Sequence, residues 1–577
     1  MNWKTSLLLI GAGAVLAGSM KPGFIYAGEK IAAESSGAEE KEPAAAGREA
    51  GEDYEAAGPM ARRNSLCGTC YEVFVYSFYD SDGDGIGDLN GLTGKLDYIN
   101  DGDPLSEADL GCDMIWTMPV FPSPTYHKYD VTDYCAIDPA YGTMEDFDRL
   151  LSECHRRGVR LILDLPLNHT SSGHPWFTAA AEYLKGLEEA EKPDENACPC
   201  VSYYHFSREA SDGYAPLSES GWYYEARFWE GMPDLNLDNP KVRENIAEIV
   251  DFWLTKGVDG FRLDAVTYYY TGDEEANISF LTWLNEEVKS RNPDAYIVGE
   301  AWVNESIYSR YYASGIDSLF NFDFAGAEGL IAPLARGKKA ASKYGERIME
   351  QEELFSSFNP YYIDAPFYTN HDMARGAGYY TRDDGTRVKL AMGLNLLMPG
   401  RAFIYYGEEL GMKGSGIDEN KRAPMYWSST PGAAGQTSGP PGMEEFEMKF
   451  GSLEQQQADP SSIYNYVKQA VHIREQYPAI SRGKTRMAEA LSGKETCVLV
   501  RYGEDLEPVI LAFNMSEKDI TFDRKTVNEA LSDVMEGLGE KKLTLKEKLL
   551  TSSVMPVFSA RRLTIPAHGI VILGIND

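Results

Sequence analysis

Four short polar motifs, each closing an apolar run, constrain this chain more than any other feature. They are Asp164-Leu-Pro-Leu-Asn168-His169, Gly260-Phe-Arg262-Leu-Asp264-Ala-Val266, Val298-Gly-Glu300-Ala-Trp302 and Tyr368-Thr-Asn-His371-Asp372. Asp264 and Glu300 are 36 residues apart, the length of one strand plus one helix. Glu300 and Asp372 are 72 apart, two such units, and Leu319-Phe-Asn-Phe-Asp323 supplies the strand between them. A (β/α)8 barrel opens the C-terminal ends of all its strands onto one face, so these side chains would converge there. Three carboxylates, two histidines and an arginine around one pocket suit the breaking of a bond better than the holding of a fold.

The remaining strands of such a TIM barrel can be placed around these motifs. Glu72–Phe78 is expected as the first strand, Met114–Pro119 and Val159–Asp164 as the second and third, with a helix near Met144–Arg157 between them. Asp259–Asp264, Tyr296–Glu300, Leu319–Asp323, Pro366–Thr369 and Ala402–Tyr406 would complete the set. Asp164 and Asp264 are 100 residues apart, too many for one unit. The excess, 166–238, is expected as a loop-rich subdomain inserted after strand three, dividing the barrel into 67–165 and 239–479. From 480 to 577 the pattern changes to short alternating runs such as Pro508-Val-Ile-Leu-Ala-Phe513, expected as a C-terminal antiparallel β-sandwich.

The first 66 residues read differently. Residues 1–27 combine a positive start with a short apolar stretch, the pattern of an export signal, with small-residue cleavage sites after Ala17 or Ala27. Leu16-Ala-Gly-Ser19 has Ser19 where a lipidated cysteine would stand, so no lipid anchor is expected. Residues 28–66 are rich in Ala, Gly and Glu and read as a flexible acidic tether. With no second long apolar run, the mature chain is expected to be extracellular, without a transmembrane segment, and monomeric. Lys and Arg total 54 against 89 Asp and Glu, a net charge of −35. That surface repels nucleic acid and anionic membranes and fits a neutral substrate.

Asp80-Ser-Asp82-Gly-Asp84-Gly-Ile86-Gly-Asp88 places oxygen donors at alternating positions with glycines between, a pattern suited to Ca²⁺. Its twelfth position is Gly91 where an EF-hand has a bidentate glutamate, so it is not an EF-hand. Of the eight cysteines, Cys67-Gly-Thr-Cys70 and Cys198-Pro-Cys200 could be paired into a zinc site, but the second spacing is poor for tetrahedral ligands. Free or locally bridged thiols are expected.

In order and position, these motifs resemble glycoside hydrolase family 13, the α-amylase family, over roughly 67–577. Gly111–Phe121, Met232-Pro-Asp-Leu-Asn236 and Gly407-Glu-Glu-Leu-Gly-Met412 carry the same resemblance. It implies Asp264 as nucleophile, Glu300 as acid/base and Asp372 as a third carboxylate gripping sugar hydroxyls. It implies further substrate contacts from Tyr129, Asp130, His169, Arg262, His371 and Arg375. The Ile86 carbonyl would join Asp80, Asp82, Asp84 and Asp88 around calcium. The residues support this independently. Arg262, two positions before Asp264, points to the same side of the strand and favours its ionised form. Glu300 closes an apolar strand beside Trp302, where burial would raise its pKa toward that of an acid. The expected activity is endo-acting α-1,4 hydrolysis of starch or maltodextrin with retention. The motif at 232–236 leaves α-glucosidase, neopullulanase or glucan-transfer activity as the alternative, and a glucan-binding chain without catalysis as the non-enzymatic one.

Overall fold

The computed structural model describes residues 58–576 apart from 219, 381–383, 535–541 and 553. The expected export signal and the tether up to residue 57 lie outside the described residues. Eight parallel strands run in sequential order: β1 (Gly68–Val73), β2 (Met114–Thr117), β3 (Arg160–Leu165), β4 (Gly260–Leu263), β5 (Tyr296–Gly299), β6 (Ser318–Phe320), β7 (Ile363–Ala365) and β8 (Arg401–Tyr405). β8 pairs with β1 from Gly68–Arg401 to Glu72–Tyr405, and the single parallel bridge Phe367–Phe403 joins the last gap.

Strand periodicity sorts the side chains into two cores. Cys70, Met114, Trp116, Ile162, Tyr296, Val298 and Phe403 point inward and fill the barrel. Their neighbours Tyr71, Ile115, Leu161, Leu163, Phe261, Ile297 and Ile404 point outward against the surrounding helices. Extending the inward series upward gives Glu72, Asp164, Arg262 and Glu300. The polar layer is thus the top storey of the apolar plug. The helices outside are conventionally terminated; Met144–Arg156 starts in a Thr143–Asp146 capping box, and Pro240–Lys256 ends at left-handed Gly257.

Two barrel strands sit earlier than the sequence pattern suggests. The first is Gly68–Val73, because the aromatic run after it turns into a short 3-10 helix at Val75–Ser77. The seventh ends at Ala365, so His371 and Asp372 ride on a loop instead of closing a strand. The last eight residues of the expected tether form a helix, Pro59–Leu66. Polar anchors hold it: Arg62 reaches Asp317 at 2.7 Å and the Ala295 carbonyl at 2.9 Å, and Arg63 reaches the Tyr362 carbonyl at 3.0 Å. Leu66 is its one buried residue.

The segment after β3 is not all loop. It contains a helix, Pro175–Gly186, and a three-stranded antiparallel sheet of Phe206–Ser207, Tyr223–Glu225 and Tyr214–Pro216. Phe177, Tyr204, Phe206 and Tyr224 pack between them. Beyond the barrel, a five-stranded antiparallel sheet faces a three-stranded one. In the larger sheet Cys497, Leu499, Leu511, Phe513 and Ile572 pack on the barrel core, while Val498, Val500, Ile510, Ala512 and Leu573 pack on the second core with the helix Arg524–Val534. No helix among the described residues is long and apolar enough to cross a membrane.

Candidate active site

Arg262 is the hub of the upper barrel and has no solvent exposure. One terminal nitrogen lies 3.0 Å from both Asp164 oxygens and 2.7 Å from Asp264 Oδ1. The other lies 2.9 Å from Glu300 Oε2. The guanidinium carbon sits 5.2 Å above the Trp116 ring, which closes the hub from below. One buried cation therefore gathers three carboxylates from three adjacent strands.

Burial raises two of these carboxylates. Burial pushes Glu300 up to about 7, against the pull of Arg262 and helped by the charges of Asp264 and Asp372. Asp164 is likewise raised to about 7, by burial first, with Arg262 opposing. Glu300 Oε2 also accepts the Ala265 backbone N–H at 3.2 Å. Ala265 holds a left-handed φ of 47°, a conformation that disfavours a β-branched side chain at this position. Trp302 is half-exposed and stacks on Phe322, so the burial of Glu300 is set mainly by the barrel.

The loop after β7 brings the second group. His371 Nδ1 lies 2.6 Å from Glu72 Oε1, and Nε2 lies 2.8 Å from the Tyr129 hydroxyl and 3.0 Å from Asp372 Oδ2. Burial works against a charge on His371, but Asp372 and Glu72 outweigh it and raise its pKa to about 10. Asp372 is held well below the ordinary carboxylate range; burial opposes this, and His371, Arg422 and Arg262 overcome it. Arg422 contacts Asp372 Oδ1 at 2.9 Å and the Tyr126 hydroxyl at 3.0 Å. Tyr129 stacks on His371 and donates to Asp164 at 3.0 Å. His169 is buried with Nε2 unpartnered among the described residues, beside the exposed ring of Phe228 at 5.3 Å.

Asp264, Glu300, Asp372, Tyr129, Arg262 and His371 therefore form one contiguous network, with His169 beside it. Two expected contacts are placed elsewhere. Asp130 is buried and accepts from Ser123 at 2.6 Å and from Thr125, ordering its own loop. Arg375 is also buried; it donates to the carbonyls of Lys421 at 2.9 Å and Tyr406 at 2.6 Å. It fixes the backbone that presents Arg422 instead of entering the cleft itself.

In the acidic loop, one oxygen each of Asp80, Asp82 and Asp88 lies within 4.8 Å of the others. A set of oxygens without nitrogen or sulfur fits a hard cation such as Ca²⁺. Asp84 stands outside this trio and accepts the Ile86 N–H at 2.7 Å, while the Ile86 side chain packs against the barrel core. The loop is locked to the end of β1: Gly87 N–H donates to Tyr76 at 2.8 Å, and a Cβ on Gly87 would lie 1.9 Å from the Val75 carbonyl oxygen. All eight cysteines are free thiols.

Residues 72–483 match the family model described as "Alpha amylase, catalytic domain". The chain belongs to the α-amylase family of glycoside hydrolases, family 13. It is 39% identical over 457 residues to "Alpha-amylase 3" of Dictyoglomus thermophilum, spanning 78% of this chain and 85% of that one. It is 31% identical over 551 residues to an "Oligo-1,6-glucosidase" of Parageobacillus thermoglucosidasius, spanning 78% and 90%. Among solved structures, Eubacterium rectale Amy13B superposes with a TM-score of 0.82 at 45% identity, covering 90% of this chain and 99% of that one.

Three members of the network escape a reading of motifs alone. Asp164 opens a quoted motif yet has no assigned role, although its inward parity with Ile162 is a usable signal. Glu72 is inward only once β1 is known to begin at Gly68. Arg422 lies in a loop, and no local pattern distinguishes it from neighbouring Lys421.

Proposed function

We propose that this chain is an exported, retaining α-glucan hydrolase that cleaves internal α-1,4 links of starch and maltodextrin. The observation that carries the reading is the shared guanidinium of Arg262, ion-paired to Asp264 at 2.7 Å and to Glu300 at 2.9 Å. Two carboxyls held by one arginine fork suit the separation of about 5–5.5 Å used in retention, against about 6.5–9.5 Å where a water must fit between. In the first step Asp264 attacks the anomeric carbon while Glu300 gives its proton to the departing glycosidic oxygen. Glu300, now ionised, then takes a proton from water as that water displaces Asp264. Asp372, kept ionised by His371 and Arg422, accepts hydroxyls of the sugar being cleaved, and His169 Nε2 contacts the same sugar. Tyr129 offers that sugar an aromatic edge. The export signal read in residues 1–27 is consistent with a polymeric substrate outside the cell.

Asp80, Asp82 and Asp88 would hold Ca²⁺, which would neutralise the loop and tie it to the barrel. Action on α-1,6 links or glucan transfer is the second reading, favoured by the likeness to an enzyme named oligo-1,6-glucosidase. A product profile on soluble starch, pullulan and isomaltose separates the two, and proton NMR of the first product from maltoheptaose tests retention. Initial β-anomer would overturn the mechanism, and rapid isomaltose cleavage with inert starch would overturn the linkage assignment.

A further inference from the structure

At the junction of the barrel and the C-terminal sheets lies a cavity of about 260 Å³, none of whose walls belongs to the cleft. Arg336, Arg387, Lys494 and Lys518 line it together with Glu495 and Glu517, and Asp384, outside the wall, pairs with Arg387. Four cations less three carboxylates, Asp384 included, give +1 in a chain whose net charge is −35. Glu517 is partly used already, paired with Arg387 Nη2 at 2.9 Å. Lys494 and Lys518 have no ion pair among the described residues.

His568 is the observation that turns a basic hollow into a site. It lies in the cavity wall, is only 9% exposed, and neither ring nitrogen has a partner among the described residues. Its Nδ1 is fully enclosed, as is Arg387 Nε, whose nearest carboxylate oxygen, on Asp384, is 3.7 Å away. Buried polar groups normally find a hydrogen-bond partner, and the His568 nitrogen that is both unpartnered and not enclosed is Nε2, which is open to a ligand. His568 sits in a turn with a left-handed φ of 52°, a conformation that histidine adopts more readily than most residues with a Cβ.

We propose that this cavity binds a phosphate-type oxyanion, carried either as free phosphate or as the phosphate of a phosphorylated sugar. Arginine's fork of N–H donors matches phosphate geometry, and lysines add charge without fixed direction. Burial, reinforced by the charge of Arg387, lowers the pKa of His568, so at neutral pH it contributes a single N–H donor to the anion. The volume lies just under the roughly 300–1,000 Å³ of ordinary small-molecule sites, which suits phosphate alone or with one sugar ring. The acidic remainder of the surface would otherwise repel such a ligand, so the local reversal of charge supplies the selectivity.

The test is isothermal titration of the full chain with inorganic phosphate, glucose 6-phosphate and glucose, in sodium chloride of matched ionic strength. Phosphate and glucose 6-phosphate should bind and glucose should not; the tighter of the two identifies the form of the ligand. Arg387→Gln should weaken binding about tenfold or more, the loss of one charge-assisted hydrogen bond. His568→Asn, which tolerates the left-handed backbone, should weaken it as well. The exposed double variant Lys494→Glu/Lys518→Glu should do the same without touching a buried group. Hydrolysis of maltoheptaose without phosphate should be unchanged in all three. No heat beyond the chloride control, equal binding of glucose, or undiminished binding by every variant would each overturn the proposal.

Discussion

At the scale of single residues, the cleft is organised by unequal treatment of its carboxyls. Glu300 is raised to about 7 while Asp372 is held far down, although both lie in one network. Asp264→Asn or Glu300→Gln should each lower kcat on starch by at least about a hundredfold, since loss of proton transfer alone costs roughly 10²–10⁴-fold. Circular dichroism should show both variants folded; more than about a hundredth of wild-type turnover in either would refute the assigned roles. Because Glu300 must be protonated to act as acid, kcat/KM should fall as pH rises through about 7. A profile flat well into the alkaline range would show that another group supplies the proton. Glu72 invites a different measurement. His371 in the folded chain titrates near 10, above the ordinary value of about 6.5. Its contribution to stability is therefore complete below about 6.5 and is lost as pH rises through about 10. Glu72→Gln keeps a hydrogen-bond acceptor but removes a charge that helps hold His371 up, so the loss should be smaller and complete at lower pH. Thermal unfolding of both proteins between neutral and alkaline pH checks it, and superimposable curves would dismiss the effect.

Elements show what the sequence made legible and what it hid. Barrel strands and their motifs were readable because a two-sided apolar run ending in a polar residue is a local signal. The helix Pro59–Leu66 was not: it buries only Leu66 and is held by Arg62 and Arg63 reaching residues more than 200 positions away. Pro175–Gly186 was hidden by its aromatic surroundings, and Arg524–Val534 by a setting of strands. For the cleft, Asp264, Glu300 and Asp372 stood in motifs, whereas Arg422 reaches Asp372 only through the tertiary path of its loop. The acidic loop after β1 carries the element-scale prediction. If Asp80, Asp82 and Asp88 hold calcium, a ligand bound only by the folded state adds about 2.7 kcal/mol at a hundredfold excess over Kd. Chelation should then lower Tm more than it lowers initial activity at moderate temperature. Calorimetry with a chelator, on wild type and on Asp82→Ala, provides the check; an unchanged wild-type Tm would mean that no stabilising ion is held.

On the scale of the whole molecule, the five-stranded C-terminal sheet is buried on both faces, one of them against the barrel. It is structurally part of the barrel's core, so deleting residues 480–577 should not yield a smaller soluble enzyme. The deletion would strip cover from Tyr344, whose ring packs against Phe513 at 5.1 Å, and expose an apolar wall. Expression of the truncated chain should give insoluble protein, and a soluble, active barrel would contradict this. The helix Pro59–Leu66 has a practical corollary. Its arginines grip residues beside the starts of β5, β6 and β7, and the cleft lies at the opposite ends of those strands. A chain fastened to a bead or electrode through a short leader ahead of residue 58 would therefore stand with its mouth turned to the bulk liquid. Immobilised that way, it should digest a suspended granule as readily as a dissolved oligomer, whereas fastening through side chains around Trp302 should leave only the oligomer within reach.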